Sequence, residues 1–225
     1  INNFVDVERL HPSARVISHL AYTDAIKNLG QVKITTFLRI ICIGYIDEVK
    51  NQCRAIDFAS VILDKHPGLR LAIHFYGRKK SERYFSRFIA KVDEFNKRYS
   101  ASSAAYFGYQ NSCNINIGSY HFSLLTSTTE SQPLSIVESM YSGTPSIAPA
   151  VGGIPDLLSQ GIGVAYKNAN SQNILPDEVE RFLLMPFRDR EQYLELCHRN
   201  IRMSYLRYSS RQFFSEYDRL FNGKL

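Results

Sequence analysis

Six short apolar runs, separated by stretches of helical period, constrain this chain more than any other feature of it. Strands that alternate with helices pair in parallel, because a connection long enough to hold a helix returns the next strand in the same direction. The runs are Leu38 to Tyr45 (LRIICIGY), Leu71 to Tyr76, Ala104 to Tyr109, Phe122 to Thr126, Ser146 to Ala148 and Ile162 to Tyr166. A helix is predicted from Asn51 to Asp64, ending before Pro67. A second is predicted from Ser81 to Lys97, with Phe85, Phe88, Ile89, Val92 and Phe95 on one face. From Pro176 onward the chain reads as helical in two or three segments, closed by an aromatic stripe of Phe213, Phe214, Tyr217 and Phe221 that suits core packing. The expectation is an α/β fold, a Rossmann-like parallel sheet of about six strands with helices on both faces.

An open parallel sheet binds its ligands outside the carboxyl ends of its strands, and the chemically suggestive residues fall there. Gly44 and Tyr45 end the first run, Gly77 follows the second, Gly108 lies in the third, Glu130 follows the fourth and Gly152-Gly153 the fifth. In ESQPLSIVESMYSGTPSIAPAVGGIPDLL, Pro133 suits the first position of a helix running to about Ser142, because its missing N–H would be an orphan there anyway. Glu130 then precedes the helix and Glu138 sits in its second turn. The free amides near Leu134 and Ser135, with the positive end of the helix dipole, form an anion cradle between the two carboxylates.

The composition permits a single large domain, 1–225, with 1–37 as an extension and 176–225 as terminal helices; such a chain buries roughly 70% of its unfolded surface. Cys42, Cys53, Cys113 and Cys197 show no C-x-x-C spacing, so reduced structural thiols are expected rather than bridges or a metal site. No apolar run is long enough to span a membrane and no charged-then-apolar leader appears, so a cytoplasmic protein is expected. Ile1 in place of a methionine suggests an excised piece of a longer protein. The net charge of +6 favours anionic partners. It concentrates in RKKSER, Arg78 to Arg83, and in a tail carrying Arg188, Arg190, Arg199, Arg202, Arg207, Arg211 and Arg219, which suits a solvated helix face or contact with the inner face of a membrane.

The turn IGYIDEVKN carries one glycine where a dinucleotide fingerprint needs three. P-loop, H-E-x-x-H and G-x-S-x-G patterns are also missing, as is an Asp-x-Asp pair to bridge a metal and phosphates. What remains is Lys50, the two carboxylates and the amides after Pro133. A cation with N–H dipoles suits a diphosphate, and carboxylates accept hydrogen bonds from vicinal hydroxyls, so the set suits a nucleotide sugar with no metal or other cofactor.

At these residues the sequence resembles the retaining GT-B glycosyltransferases known as glycosyl transferase group 1. ESQPLSIVESMYSGTPSIAPAVGGIPD aligns without a gap to that family's EGFPLVLLEAMACGTPVVATDVGGIPE, and IGYIDEVKNQ to its first turn, GRLxxxKG or GRLxxxKN. NFVD, Asn3 to Asp6, is similar to the NGVD that follows the family's N-terminal domain. The resemblance covers most of the chain. It implies the C-terminal, donor-binding half of a two-domain enzyme that transfers a sugar, with retention, from a nucleoside diphosphate sugar to a saccharide or lipid-linked acceptor in polysaccharide or lipopolysaccharide synthesis.

By position, the resemblance implies that Glu138 accepts hydrogen bonds from the ribose and that Glu130 contacts the transferred sugar near its reacting face, as the catalytic residue. Lys50 would bind the diphosphate beside Gly44 and Tyr45. Backbone amides of Gln132, Pro133's successors Leu134 and Ser135 would touch sugar and phosphate, and Gly108 and Tyr109 would lie near the base. Two departures stand out: the family's arginine in the first turn is Tyr45 here, which removes a cation, and its Gly-Phe after the first glutamate is Ser131-Gln132. Two other readings stay open, a degenerate non-catalytic nucleotide-binding module, suggested by Tyr45, and a nucleotide-sugar epimerase on the same architecture.

Overall fold

In the computed structural model, which describes residues 37–167 and 174–208, six strands form one sheet. They are β1 (Phe37–Ile43), β2 (Arg70–Tyr76), β3 (Ser103–Tyr106), β4 (Phe122–Leu124), β5 (Ser146–Pro149) and β6 (Gly163–Tyr166). Their order is β3-β2-β1-β4-β5-β6, with every pair parallel. Chain order therefore reverses direction between β1 and β4, where Ile40 lies beside Phe122, and a crevice opens above that point. The helices are α1 (Gln52–Lys65), α2 (Glu82–Arg98), α3 (Leu134–Tyr141), α4 (Ile154–Leu158), α5 (Asp177–Arg188) and α6 (Arg190–Tyr208).

Both faces of the sheet are covered, which is why its strands read as continuous apolar runs rather than alternating ones. Leu38, Ile40 and Cys42 of β1 pack on one face with Ile56, Phe58 and Ile62 of α1, Phe88 and Val92 of α2, and Leu183 of α5. On the other face Ile136, Val137 and Met140 of α3 pack with Ala148, Ile154 and Leu157, while Ile41 and Tyr76 meet Ile115, Ile117 and Tyr120. The expected apolar face of α2 is present, with Tyr84 added to it: that ring is buried and its hydroxyl accepts from the Cys53 amide at 3.0 Å. Ser81 caps α2 by accepting from the Tyr84 amide, and Lys97 and Arg98 sit at its negative end.

The boundaries differ from the sequence reading where glycine or proline decides them. β1 stops at Ile43, leaving Gly44 and Tyr45 in the turn beyond it. β3 stops at Tyr106, and Gly108 lies past the strand at φ +72°, a conformation that breaks the ladder. Pro133 is the cap of α3 rather than its first residue: at ψ 114° its backbone is extended, so the helix starts at Leu134. Cys42, Cys53 and Cys197 are buried free thiols. The NFVD segment, the extension 1–36, the aromatic stripe from Phe213 to Phe221, Arg211 and Arg219 lie outside the described residues. Among the described residues no helix is long and apolar enough to cross a membrane.

Candidate functional site

The carboxyl ends of β1, β2 and β3 are joined into one rim by main-chain hydrogen bonds. The Gly44 amide donates to Tyr76 O at 2.9 Å and the Gly77 amide to Gly108 O at 2.8 Å. At Gly77 only glycine fits, because a Cβ there would stand 1.8 Å from Gly44 O. The Ile46 amide then donates to Arg78 O, so the turns after β1 and β2 run side by side. Above this rim is an open cleft of about 380 Å³ lined by Gly44, Tyr45, Arg78, Tyr109, Ser112, Leu134 and Glu138, among others.

The far wall of the cleft is α3. Glu138 faces it from the second turn and accepts a hydrogen bond from Ser112 Oγ at 2.9 Å. Burial pushes the Glu138 carboxyl above its ordinary pKa of 4.5, an effect that the Ser112 hydroxyl partly opposes. The amides of Leu134 and Ser135, in the first turn of α3, have no partner within the helix and carry the positive end of its dipole.

At the β1–β4 junction the two turns are stitched together. Lys50 Nζ lies 2.5 Å from Glu130 Oε1, which also accepts from Ser127 Oγ at 2.7 Å; the Glu130 side chain is only 7% exposed. The Lys50 amide donates to Asp47 Oδ1 at 2.8 Å, Thr126 Oγ1 donates to Asn51 O at 2.8 Å, and the Thr128 amide donates to Val49 O at 2.8 Å. Gln52 Nε2 holds Tyr45 O at 2.6 Å while the Tyr45 ring stays 53% exposed. On the other side, Gly152 and Gly153 lie directly against the main chain of Glu130 and Ser131: a Cβ on Gly152 would come within 1.5 Å of Glu130 O. The paired glycines thus let the loop after β5 support the loop that carries Glu130.

Of the residues singled out in the sequence, Gly44, Tyr45, Tyr109, Leu134 and Glu138 line the one cleft. Lys50 and Glu130 sit beside it, joined to one another, and Gly108 anchors its rim. Gln132, Pro133 and Ser135 belong to the turn that starts α3. Ser112, Ser127, Gln52 and Arg78 were not singled out as site residues. Ser112 and Ser127 belong to no motif, Gln52 enters only as the last residue of IGYIDEVKNQ, and Arg78 only as part of a charge cluster. Among the described residues no group of histidine, cysteine, aspartate and glutamate side chains is placed to hold a metal ion.

Residues 38–184 match the family model described as glycosyl transferases group 1. No protein with a curated description matches the chain. Among solved structures, the chain is similar to Anabaena HepE in complex with UDP and glucose (TM-score 0.70, 15% identity, covering 99% of this chain and 56% of that one). It is also similar to WaaG, a glycosyltransferase involved in lipopolysaccharide biosynthesis (0.64, 16%, 89% and 50%). A third is the catalytic domain of Arabidopsis thaliana starch synthase IV bound to ADP and acarbose (0.67, 15%, 99% and 48%). The chain thus spans about half the length of each of these structures.

Proposed function

This chain belongs to the group 1 glycosyl transferases, and we propose that it binds the nucleoside diphosphate sugar from which the sugar is transferred. The observation that carries this reading is the placement of Glu138, a semi-buried carboxylate facing a cleft beside the N-terminus of α3, with Glu130 in the loop ahead of that helix paired to Lys50. Glu138 suits the vicinal hydroxyls of a ribose, which would take the place of the Ser112 hydroxyl. The amides of Leu134 and Ser135, with Lys50, suit the diphosphate. Glu130 then contacts the transferred sugar, and Gly108 and Tyr109 lie near the base. UDP in the HepE structure and ADP in the starch synthase structure support this choice of ligand class.

In the transfer the bond between the anomeric carbon and the diphosphate oxygen breaks, a bond from that carbon to the acceptor oxygen forms, and the acceptor's proton leaves with the diphosphate, while positive charge develops on the sugar and negative charge on the leaving group. This chain's residues contribute position and electrostatics: helix amides and Lys50 address the leaving group, while Glu130 addresses the sugar. Retention of configuration, a saccharide or lipid-linked acceptor held by a further domain in the GT-B manner, no cofactor and a site at the cytoplasmic face of a membrane complete the proposal. Polysaccharide or lipopolysaccharide synthesis, the latter being the setting of WaaG, fits it.

Calorimetric titration of the 225-residue chain with UDP, GDP, ADP and their glucosyl derivatives tests the reading. One of them should bind with Kd of roughly 0.1–1 mM and keep that affinity in EDTA. Failure of all of them to bind would overturn it.

A further inference from the structure

Between the carboxyl ends of β1 and β4, where Lys50 meets Glu130, lies a cavity distinct from the cleft, of about 10 Å³, which is room for a single water molecule. Lys50, Gln52, Thr126 and Ser127 line it together with apolar residues from the two strand ends. Gln52 is only 5% exposed, and its amide can be oriented in one way alone: Nε2 donates to Tyr45 O at 2.6 Å, where the amide oxygen would face another acceptor. Oε1 is thereby turned away from Tyr45, and it has no hydrogen-bond partner among the described residues. A buried acceptor left in that condition is strongly disfavoured, so a donor belongs beside it.

The hydroxyls in the lining do not supply that donor. Thr126 Oγ1 spends its hydrogen on Asn51 O at 2.8 Å and Ser127 Oγ spends its own on Glu130 Oε1 at 2.7 Å, so each has only lone pairs left to offer. The Lys50 ammonium, by contrast, has hydrogens to spare beyond the one it gives Glu130. We propose that the cavity binds an internal water molecule, which donates to Gln52 Oε1 and to a hydroxyl oxygen of Thr126 or Ser127 and accepts from Lys50. A bound cation would also satisfy the oxygens, but Lys50 already brings the positive charge that Glu130 balances, so a second would be uncompensated. The water ties the Lys50–Glu130 pair to the side chain that holds Tyr45 O, so the turn after β1 and the loop ahead of α3 rest on one shared site. The site stands independently of any ligand in the cleft.

The test is a near-atomic-resolution crystal structure of the 225-residue chain, from crystals grown in sodium salt and in rubidium salt. The expected result is an oxygen-sized density peak about 2.8 Å from Gln52 Oε1 that carries no anomalous signal from rubidium. A rubidium peak at that place would overturn the proposal in favour of a cation site. An empty cavity, or a protein group bonded to Gln52 Oε1, would overturn it outright. Magnetic relaxation dispersion of water repeats the test in solution. There Gln52→Met, which keeps much of the side chain's length without its carbonyl, should show one long-lived water fewer than the unmodified chain, and an unchanged count would overturn the site. The crystal measurement needs no variant, so it decides the matter even where Gln52→Met does not fold.

Discussion

Lys50 Nζ and Glu130 Oε1 stand 2.5 Å apart although 80 residues separate them in the chain. The pair joins the turn after β1 to the loop ahead of α3, the two segments that flank the reversal of strand order. Lys50 is thus a cation that already has a carboxylate, and any diphosphate brought to it would compete with Glu130.

Removing the cation should therefore hurt the fold more than removing the anion. Lys50→Ala leaves a carboxylate that is 7% exposed without its partner, and urea unfolding should show a loss of about 3 kcal/mol. Glu130→Gln leaves a lysine that is 27% exposed and able to turn to water, so its loss should be about 1 kcal/mol. Equal losses would show that the pair does not order the loop.

Glu138 should trade stability against binding. Its folded-state pKa is raised above 4.5, so the protonated form stabilises: that contribution is full below 4.5 and is lost as pH rises through the folded-state value. Glu138→Gln, neutral throughout, should be more stable than the parent at pH 7 and should match it below pH 4.5. Thermal melts across pH 4 to 8 measure this, and a difference independent of pH would refute it.

The two carboxylates should separate in ligand binding. Glu138→Gln should weaken a plain nucleoside diphosphate by about 1.5–3 kcal/mol, the worth of a hydrogen bond to a charged group. Glu130→Gln should leave that ligand unweakened, since it also frees Lys50, and should lower kcat in the enzyme with its acceptor domain present. One calorimetric titration per variant decides it; losses of equal size would mean the roles are misassigned.

Two glycines at positive φ should respond differently to alanine. At Gly108, φ +72°, an added Cβ meets no atom within 4 Å, so only the left-handed backbone cost of about 1 kcal/mol is expected. At Gly152, φ +53°, the same Cβ collides with Glu130 O, so a larger loss should come with weaker donor binding as that loop shifts. Comparison of melting temperatures and titrations of the two variants checks this.

The sheet was legible because buried parallel strands are continuous apolar runs, and LRIICIGY or LAIHFY fits no exposed element. Glu130, Pro133 and Glu138 were legible because a helix start and its spacing are local. The Lys50–Glu130 pair was not, since it depends on β4 lying beside β1, a pairing that no local pattern encodes. Arg78 was hidden for a related reason: its neighbour Tyr109 belongs to another strand's turn, and a run of RKK reads as solvated charge until the strands are set side by side. Strand ends slipped where Gly108 and Gly44 leave the ladder, because apolar neighbours on both sides mask the break.

The rim from Gly44 through Tyr76 and Gly77 to Gly108 is joined by bonds from amides to carbonyls, and the Tyr106 hydroxyl adds one more by donating to Gly77 O at 2.9 Å. The residues that stand on it, Tyr45, Arg78 and Tyr109, can therefore be exchanged without loosening what holds them. A tyrosine at position 45 and an arginine at position 78 are two arrangements of side chains upon one unchanged scaffold. Exchange at those three positions leaves the three strand ends locked to one another.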